Sequence, residues 1–159
     1  MLETPQITQF TTQQTAVIHL TIPRTEIRKV MGPAIGEVMA AVAAQGIAPA
    51  GPLFSHHFKM HPDTFDFEVG VPVPKPVAAS GRVHASQLPA ATVARTVYCG
   101  PYEGLGEAWG EFNSWIKANA ANYTPAPNLW ERYLAGPETS PDPAAWRTEL
   151  NRSLTIKPN

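Results

Sequence analysis

Residues 16–22 read Ala-Val-Ile-His-Leu-Thr-Ile, a run rich in β-branched side chains that is typical of a β-strand. Thr25 then suits the N-cap of a helix and Gly46 its end, while Pro33 predicts a kink or a break near Gly32. The apolar positions between them recur three or four residues apart, which is the spacing of an amphipathic helix: Ile27, Met31, Ile35, Val38 and Val42.

The rest of the first half, and then the second half, extend this pattern. Two strands are predicted near residues 53–59 and 65–73. After them, residues 91–98 are again rich in β-formers, and strands near 129–134 and 148–156 end the chain. A second helix is predicted between them from the aromatic-rich positions Leu105, Ala108, Phe112, Trp115 and Asn119. Both halves therefore predict the order strand, helix, strand, strand.

The two halves also align residue by residue. Gly36-Glu37 matches Gly110-Glu111, and Leu53-Phe54 matches Leu129-Trp130. We therefore expect an α+β fold made of a tandem βαββ repeat, with antiparallel sheets, two long helices and a pseudo-two-fold axis. A central ligand cleft is expected between the two units.

The domain organisation follows from this repeat. The whole chain, residues 1–159, is expected to be one domain, with a first unit at about 5–75 and a second at about 88–157. Residues 7–10 are read as a short strand of the first unit, and residues 74–89 as the connecting loop.

Composition excludes several classes of partner. Twelve Lys and Arg against thirteen Asp and Glu give a net charge of −1 without a basic run, which argues against nucleic-acid binding. Cys99 is the only cysteine, so an internal disulfide is impossible and a reducing compartment is expected. No signal peptide is recognised at the N-terminus, and the apolar stretch 38–47 is too short to cross a bilayer. The chain is therefore expected to be cytoplasmic, without a membrane partner.

Several short motifs carry a family resemblance. Residues 98–103 read Tyr-Cys-Gly-Pro-Tyr-Glu, and residues 130–134 read Trp-Glu-Arg-Tyr-Leu. A Gly-Pro…Pro-Asp-Pro loop at 136–143, Thr-Glu-Leu at 148–150 and the strand at 66–73 complete the set. In this order, the motifs resemble the GyrI-like family, which includes the effector-binding domains of AraC-type and multidrug-sensing transcription factors and a stand-alone gyrase-inhibitory protein.

The resemblance implies the tandem βαββ fold and a pocket for small lipophilic, often cationic, compounds. Some stand-alone members of the family hydrolyse strained, cyclopropane-containing toxins with a pocket glutamate and an aromatic hydroxyl. A protein partner such as gyrase follows from the family analogy alone, and the near-neutral charge gives no support for DNA mimicry.

Glu131 is the leading candidate for a functional residue. Side chains alternate along a strand, so Leu129, Glu131 and Tyr133 share one face. A carboxylate between Leu and Tyr is poised for partial burial, which raises its pKa or requires a cation beside it. A ligand ammonium would satisfy that requirement, and the resemblance assigns the pocket carboxylate to this position. Alternatively, Glu131 pairs at a solvated strand end with one of three arginines, Arg95, Arg132 or Arg147.

Other residues are candidates for the walls of the same pocket. Tyr133 could supply a hydroxyl beside Glu131 or simply cover the core with its ring. The aromatic stripe of the second helix is expected to be mainly core, with Trp109 as the exception. Further ligand-binding candidates are Tyr98, Phe54, Phe112 and His57. His57 is included because Ser55 and His57 align with Glu131 and Tyr133 of the second half. The alternative is that Ser55 and His57 are simply exposed on their strand.

Metal and cofactor chemistry is not expected. His56 and His57 face opposite sides of a strand, and no ligand set with metal spacing accompanies them or His61. Cys99 is expected to be an inert apolar residue. The leading function is thus binding of a small lipophilic, possibly cationic, compound for sequestration, sensing or resistance. The runner-up is a hydrolase that uses Glu131 with Tyr133 or Tyr98 and no cofactor, and the sequence leaves open whether the protein is an enzyme.

Overall fold

The computed structural model describes residues 1–157, except for the side chain of Met60. The chain forms two compact units, Thr11–Ala90, here the first unit, and Met1–Phe10 with Ala91–Asn159, here the second unit. The strands and helices, in chain order, are β1 (Gln6–Phe10), β2 (Gln13–Pro23), α1 (Ile27–Ala44), β3 (Phe54–Met60), β4 (Thr64–Pro72), β5 (His84–Leu88), β6 (Ala91–Cys99), α2 (Leu105–Asn119), β7 (Tyr123–Ala135) and β8 (Arg147–Ile156). The last two residues of the predicted domain lie outside the described part.

In the first unit, α1 packs on an antiparallel sheet with the strand order β3-β4-β2-β5. Its core joins helix residues, such as Val38 and Val42, to Ile18 on β2 and to Phe67 and Val69 on β4. These strand residues alternate with residues of the opposite face, as expected for one apolar side of a pleated sheet. The helix thus covers one face of the sheet.

The second unit repeats this arrangement. Its antiparallel strands lie in the order β7-β8-β6-β1, and α2 packs on them through Ala108, Phe112 and Ile116, which contact the core residues Leu150 and Leu154. In each unit the first strand after the helix comes first in this order, the second strand after the helix lies beside it, and the strand before the helix comes third. The prediction of an α+β fold with a tandem βαββ repeat is confirmed.

Strand β1 lies in a different unit from the one expected. It was predicted within the first unit, but it pairs with β6 from Gln6–Arg95 to Phe10–Ala91 and so belongs to the second. In the first unit the equivalent position is taken by β5, which lies in the segment expected to be a loop and pairs with β2. A five-residue edge strand with no strong periodicity gives little sign of its partner, which explains both differences.

Helix α1 also begins and continues differently from expectation. A 3-10 turn at Arg24–Glu26 includes Thr25, so the N-cap is Glu26. The helix runs through Pro33 without a break. Pro33 lacks the amide that would bond to the carbonyl of Lys29, but both residues are exposed, so water can take the place of that bond.

No helix in residues 1–157 has the length and apolarity needed to cross a membrane.

Candidate ligand-binding site

Two aromatic side chains hold the carboxylate of Glu131 in the second unit. The indole Nε1 of Trp109 on α2 donates to Oε2 at 2.7 Å, and the hydroxyl of Tyr133 donates to Oε1 at 2.9 Å. Glu131 and Tyr133 share a face of β7 because they are two residues apart, and Trp109 reaches them from the first turns of the helix. The structure therefore brings together three of the residues singled out in the sequence.

Among the described residues, this carboxylate has an apolar environment and no cationic partner. Opposite Glu131 on β8 lies Leu150, which is fully buried and belongs to the core under α2. Burial raises the pKa of Glu131 above its usual value, and the bonds from Trp109 and Tyr133 only partly oppose that rise. Residue 131 as a whole is half-buried.

The arginines proposed as alternative partners bind other carboxylates. Arg95 and Arg132 both contact Glu149, at 3.4 and 3.2 Å, on the face of the sheet opposite to Glu131. Arg147 pairs with Glu3 at 2.8 Å. Within the described residues, no cationic side chain forms an ion pair with Glu131, so its charge is held only by neutral donors.

Two further aromatic residues extend this group, and the sequence reasoning did not select them. The ring of Tyr102 lies 6.0 Å from that of Tyr133 in an edge-on contact and 4.9 Å from that of Trp146. Burial, together with the charges of Glu138 and Glu131, raises the pKa of the Tyr102 hydroxyl. Tyr102 was part of the quoted Gly-Pro-Tyr-Glu turn, and this motif was the available signal.

Thr148 is a further residue of the site that the sequence did not single out. Thr148 lies on β8 opposite Tyr133 of β7 and is fully buried. In the described part of the chain its hydroxyl has no hydrogen-bond partner, which is uncommon for a buried polar atom. It therefore places an unused donor and acceptor next to Tyr133.

Tyr98 and Phe112 have mainly structural positions. Tyr98 is only 7% exposed, and its hydroxyl donates to the carbonyl of Pro101 at 2.8 Å. Its ring packs so closely on Gly100 and Gly104 that a Cβ at either glycine would collide with it. Tyr98 thus fixes the turn before α2. Phe112 is fully buried under α2 and lies 5.7 Å from the ring of Trp109, which it supports from the core.

Phe54 and His57 belong to the first unit. Phe54 is 1% exposed and lies on the opposite face of β3 from Ser55 and His57. The imidazole of His57 stacks on Phe67 at 4.9 Å, with an angle of 13° between the rings. His57 is thus packed in the core of its unit, whereas its counterpart Tyr133 binds a carboxylate.

The histidines of the first unit do not form a metal centre. Across residues 1–157, no three side chains of His, Cys, Asp or Glu are grouped so that they could hold a metal ion. Burial lowers the pKa of His56 and of His57 to about 4, so both imidazoles are neutral near pH 7. They are part of the packed interior.

Comparisons with known proteins agree with this architecture. The profile of a family described as "GyrI-like small molecule binding domain" matches residues 3–151. No curated protein matches the sequence at a significant level.

Among solved structures, the C-terminal domain of EcmrR has a TM-score of 0.83 at 20% identity, over 97% of this chain and 98% of that domain. In the complex of EcmrR with DNA, the TM-score is also 0.83 at 19% identity, over 97% of this chain, which spans only 58% of the EcmrR chain. SAV2435 bound to tetraphenylphosphonium has a TM-score of 0.69 at 13% identity, over 96% of this chain and 94% of that one. A hydrolase from Listeria innocua has a TM-score of 0.61 at 10% identity, over 95% and 91%.

Proposed function

Because the chain belongs to the GyrI-like small molecule binding domain family, we propose that its ligand is a small lipophilic cation bound at Glu131. The observation that carries this proposal is the state of the Glu131 carboxylate in its half-buried residue. Two aromatic side chains donate hydrogen bonds to it, and no cationic side chain among the described residues forms an ion pair with it. Removing such a charge from water is costly unless it is paired. A ligand cation would supply the missing charge.

The surrounding rings suit the same class of ligand. Trp109, Tyr133 and Tyr102 present aromatic surface around or next to the carboxylate. A cation over such rings gains about 0.5–2 kcal/mol of attraction, and the rings also bury the apolar parts of a ligand. The bound tetraphenylphosphonium of SAV2435, a protein of the same fold, is a lipophilic cation and provides a first probe.

The test compares two ligands of the same shape and opposite charge, tetraphenylphosphonium and tetraphenylborate, by calorimetric titration. Glu131→Gln keeps the shape of the side chain and removes its charge. We expect it to weaken tetraphenylphosphonium by about 1–3 kcal/mol, roughly 5- to 150-fold, and to leave tetraphenylborate unchanged or tighter.

Glu111→Gln is the matched control. Glu111 is exposed on α2, the helix that carries Trp109, so its substitution removes the same charge from the same unit without changing the site. Equal losses in the two variants would attribute the effect to net charge. An equal loss for both ligands in Glu131→Gln, or no binding of tetraphenylphosphonium to the wild type, would refute the proposal.

A second candidate is hydrolysis of a strained, electrophilic compound at the same residues. It is favoured by the raised pKa of Glu131, because a general base works best when its pKa lies near the operating pH, and by the Tyr133 hydroxyl on the same carboxylate. A Listeria innocua hydrolase shares the fold. If this proposal is right, Glu131→Gln will retain binding of a cyclopropane-containing toxin and abolish its turnover, measured as product formation. Turnover that survives the substitution would exclude Glu131 as the base.

The remaining partner assignments stay predictions from the sequence. We propose that this chain acts in the cytoplasm on a small molecule and does not itself bind nucleic acid or a membrane; a protein partner such as gyrase rests on the family analogy alone. Salt-sensitive retention of a short DNA duplex at physiological ionic strength would contradict the first of these exclusions.

A further inference from the structure

Arg152 is a charged residue in an apolar row of the second unit. It lies on β8 between Leu150 and Leu154, which face the core under α2, and alternation places Arg152 on that same face. Opposite it are Leu129 on β7 and Ala94 on β6. The guanidinium is therefore only partly accessible to solvent.

The hydrogen bonds of Arg152 are made to neutral groups. Its Nε donates to the carbonyl of Ala126 at 2.9 Å, and Nη1 donates to the side-chain carbonyl of Asn113 at 3.3 Å. The register of β7 and β8 shifts between Pro125 and Leu129, which frees the Ala126 carbonyl for this contact. In the described part of the chain, no carboxylate forms an ion pair with Arg152, although buried charges are normally paired.

Arg152 lines a pocket of about 490 Å³ at the C-terminal end of α2. This volume lies in the range of small-molecule sites, about 300–1,000 Å³. Ile116, Tyr123 and Pro125 are among its apolar lining residues, and Lys117 and Lys157 are further cationic ones. No carboxylate is among the described residues that line it.

The pocket is separate from the group around Glu131. Asn113, which binds Arg152, is one helical turn after Trp109, which binds Glu131. Trp109, Glu131 and Tyr133 are not among the residues that line the pocket. The second unit thus has an acidic site and, one turn further along α2, a basic one.

We propose that this pocket binds a small amphipathic anion, whose oxyanion group contacts Arg152 and the two lysines and whose apolar body lies on Ile116 and Tyr123. A guanidinium offers paired donors that fit a carboxylate or a phosphate. Three cations, with no acid among the described lining residues, would repel a lipophilic cation of the kind proposed for Glu131. The proposal is independent of the function proposed for that residue.

Four probes with the same octyl chain test this site: nonanoate, octyl phosphate, octanol and octylammonium, titrated by calorimetry. At least one of the two anions should bind ten-fold or more tightly than octanol and octylammonium, and the stronger anion identifies the headgroup. If neither anion binds more tightly than octanol, the proposal is wrong.

Variants locate the binding. The double variant Lys117→Gln with Lys157→Gln changes only exposed side chains and should weaken the anion at least five-fold, while Lys75→Gln in the first unit should not change it. Arg152→Gln should weaken it more than ten-fold and Arg152→Lys less, with melting temperatures recorded for each. Glu131→Gln should leave the anion bound. Unchanged affinity in the lysine double variant, or loss of the anion in Glu131→Gln, would overturn the assignment.

Discussion

Corresponding positions of the two units carry different chemistry. On β7 the side facing the core under α2 presents Glu131 and Tyr133, whereas on β3 the equivalent side presents Ser55 and His57. In the second unit the polar atoms of this pair bind each other and Trp109. In the first unit the imidazole lies flat on Phe67. One repeat therefore holds a carboxylate between two hydrogen-bond donors, and in the other the same position is filled by packing.

This difference shows how burial acts on different ionisable groups at matching positions of a repeated fold. The pKa of Glu131 is raised and the pKa values of His56 and His57 are lowered, and the main cause is burial in each case. Burial favours the neutral form of every ionisable group. A neutral imidazole suits a core, whereas an ionised carboxylate in such surroundings demands a partner.

The largest expected effect is a loss of stability at low pH, caused by His56 and His57 of the first unit. Both histidines have a pKa of about 4 when folded, against 6.5 as the ordinary value. Between these values the unfolded chain takes up protons that the folded chain does not, so the free energy of unfolding falls as pH falls from 6.5 to 4. We expect a loss of about 3 kcal/mol for each histidine, measured by urea denaturation across this range.

His57→Phe isolates this contribution. It keeps a ring on Phe67 and removes one titrating group, so the difference between wild type and variant cancels the opposite contribution of Glu131. The variant should lose less stability at low pH than the wild type. Parallel curves would show that His57 is not buried as a neutral imidazole.

A second prediction concerns a glutamate placed at Ser55, the position of the first unit that corresponds to Glu131. Ser55 is 2% exposed, and Ser55→Glu would place a carboxylate there without the Trp109 and Tyr133 donors that serve Glu131. An uncompensated buried charge costs about 3–5 kcal/mol, so the free energy of unfolding at pH 7 should fall by that amount. Ser55→Gln is the control for size. An equal loss in the free energy of unfolding for both variants would mean that steric crowding, and not charge, makes position 55 unsuitable for a glutamate.

A smaller effect is expected at the donors of Glu131. Trp109→Phe keeps an aromatic ring but removes the bond that lowers the pKa of Glu131. The pKa should rise further, because a hydrogen bond to the ionised carboxylate favours the charged form. The Glu131 carboxyl carbon can be followed by NMR titration, with Trp115→Phe on the same helix as control. No difference between the two variants would mean that the indole does not hold the carboxylate.

The smallest effect should be the same in both units. Gly36 and Gly110 occupy matching positions of α1 and α2, and a Cβ at either would meet no atom within 4 Å. Alanine at each position should raise the free energy of unfolding by about 0.5–1 kcal/mol, because glycine is entropically costly inside a helix. A loss of stability at one position only would reveal that its surroundings differ from those of its counterpart.

Local patterns were sufficient to predict the helices, the long strands and the repeat. The spacing of Val38 and Val42 and that of Ala108 and Phe112 places these residues under their helices, because a helix needs only its own periodicity to define its buried face. The pairing of β1 with β6 was not predicted, since a strand's partner depends on residues far away in sequence.

The candidate site was predictable to the extent that it follows strand alternation. Glu131 and Tyr133 share a face because they are two residues apart, and the family motif drew attention to both. Tyr102, Thr148 and Arg152 were missed because their roles depend on contacts across strands and turns. Tyr98 was selected for its place in the motif, but its hydroxyl is used by the neighbouring turn.

The pairing of β1 with β6 has a consequence for protein synthesis. Residues 6–10 leave the ribosome before the other strands of the two units, yet their partner at 91–95 is made more than eighty residues later. At about 5–20 residues per second this delay lasts roughly 4–17 s. During that time the first unit can fold completely, while the segment before it waits without a partner. The nascent chain therefore carries an unpaired strand that exposes its hydrogen-bonding groups to other chains.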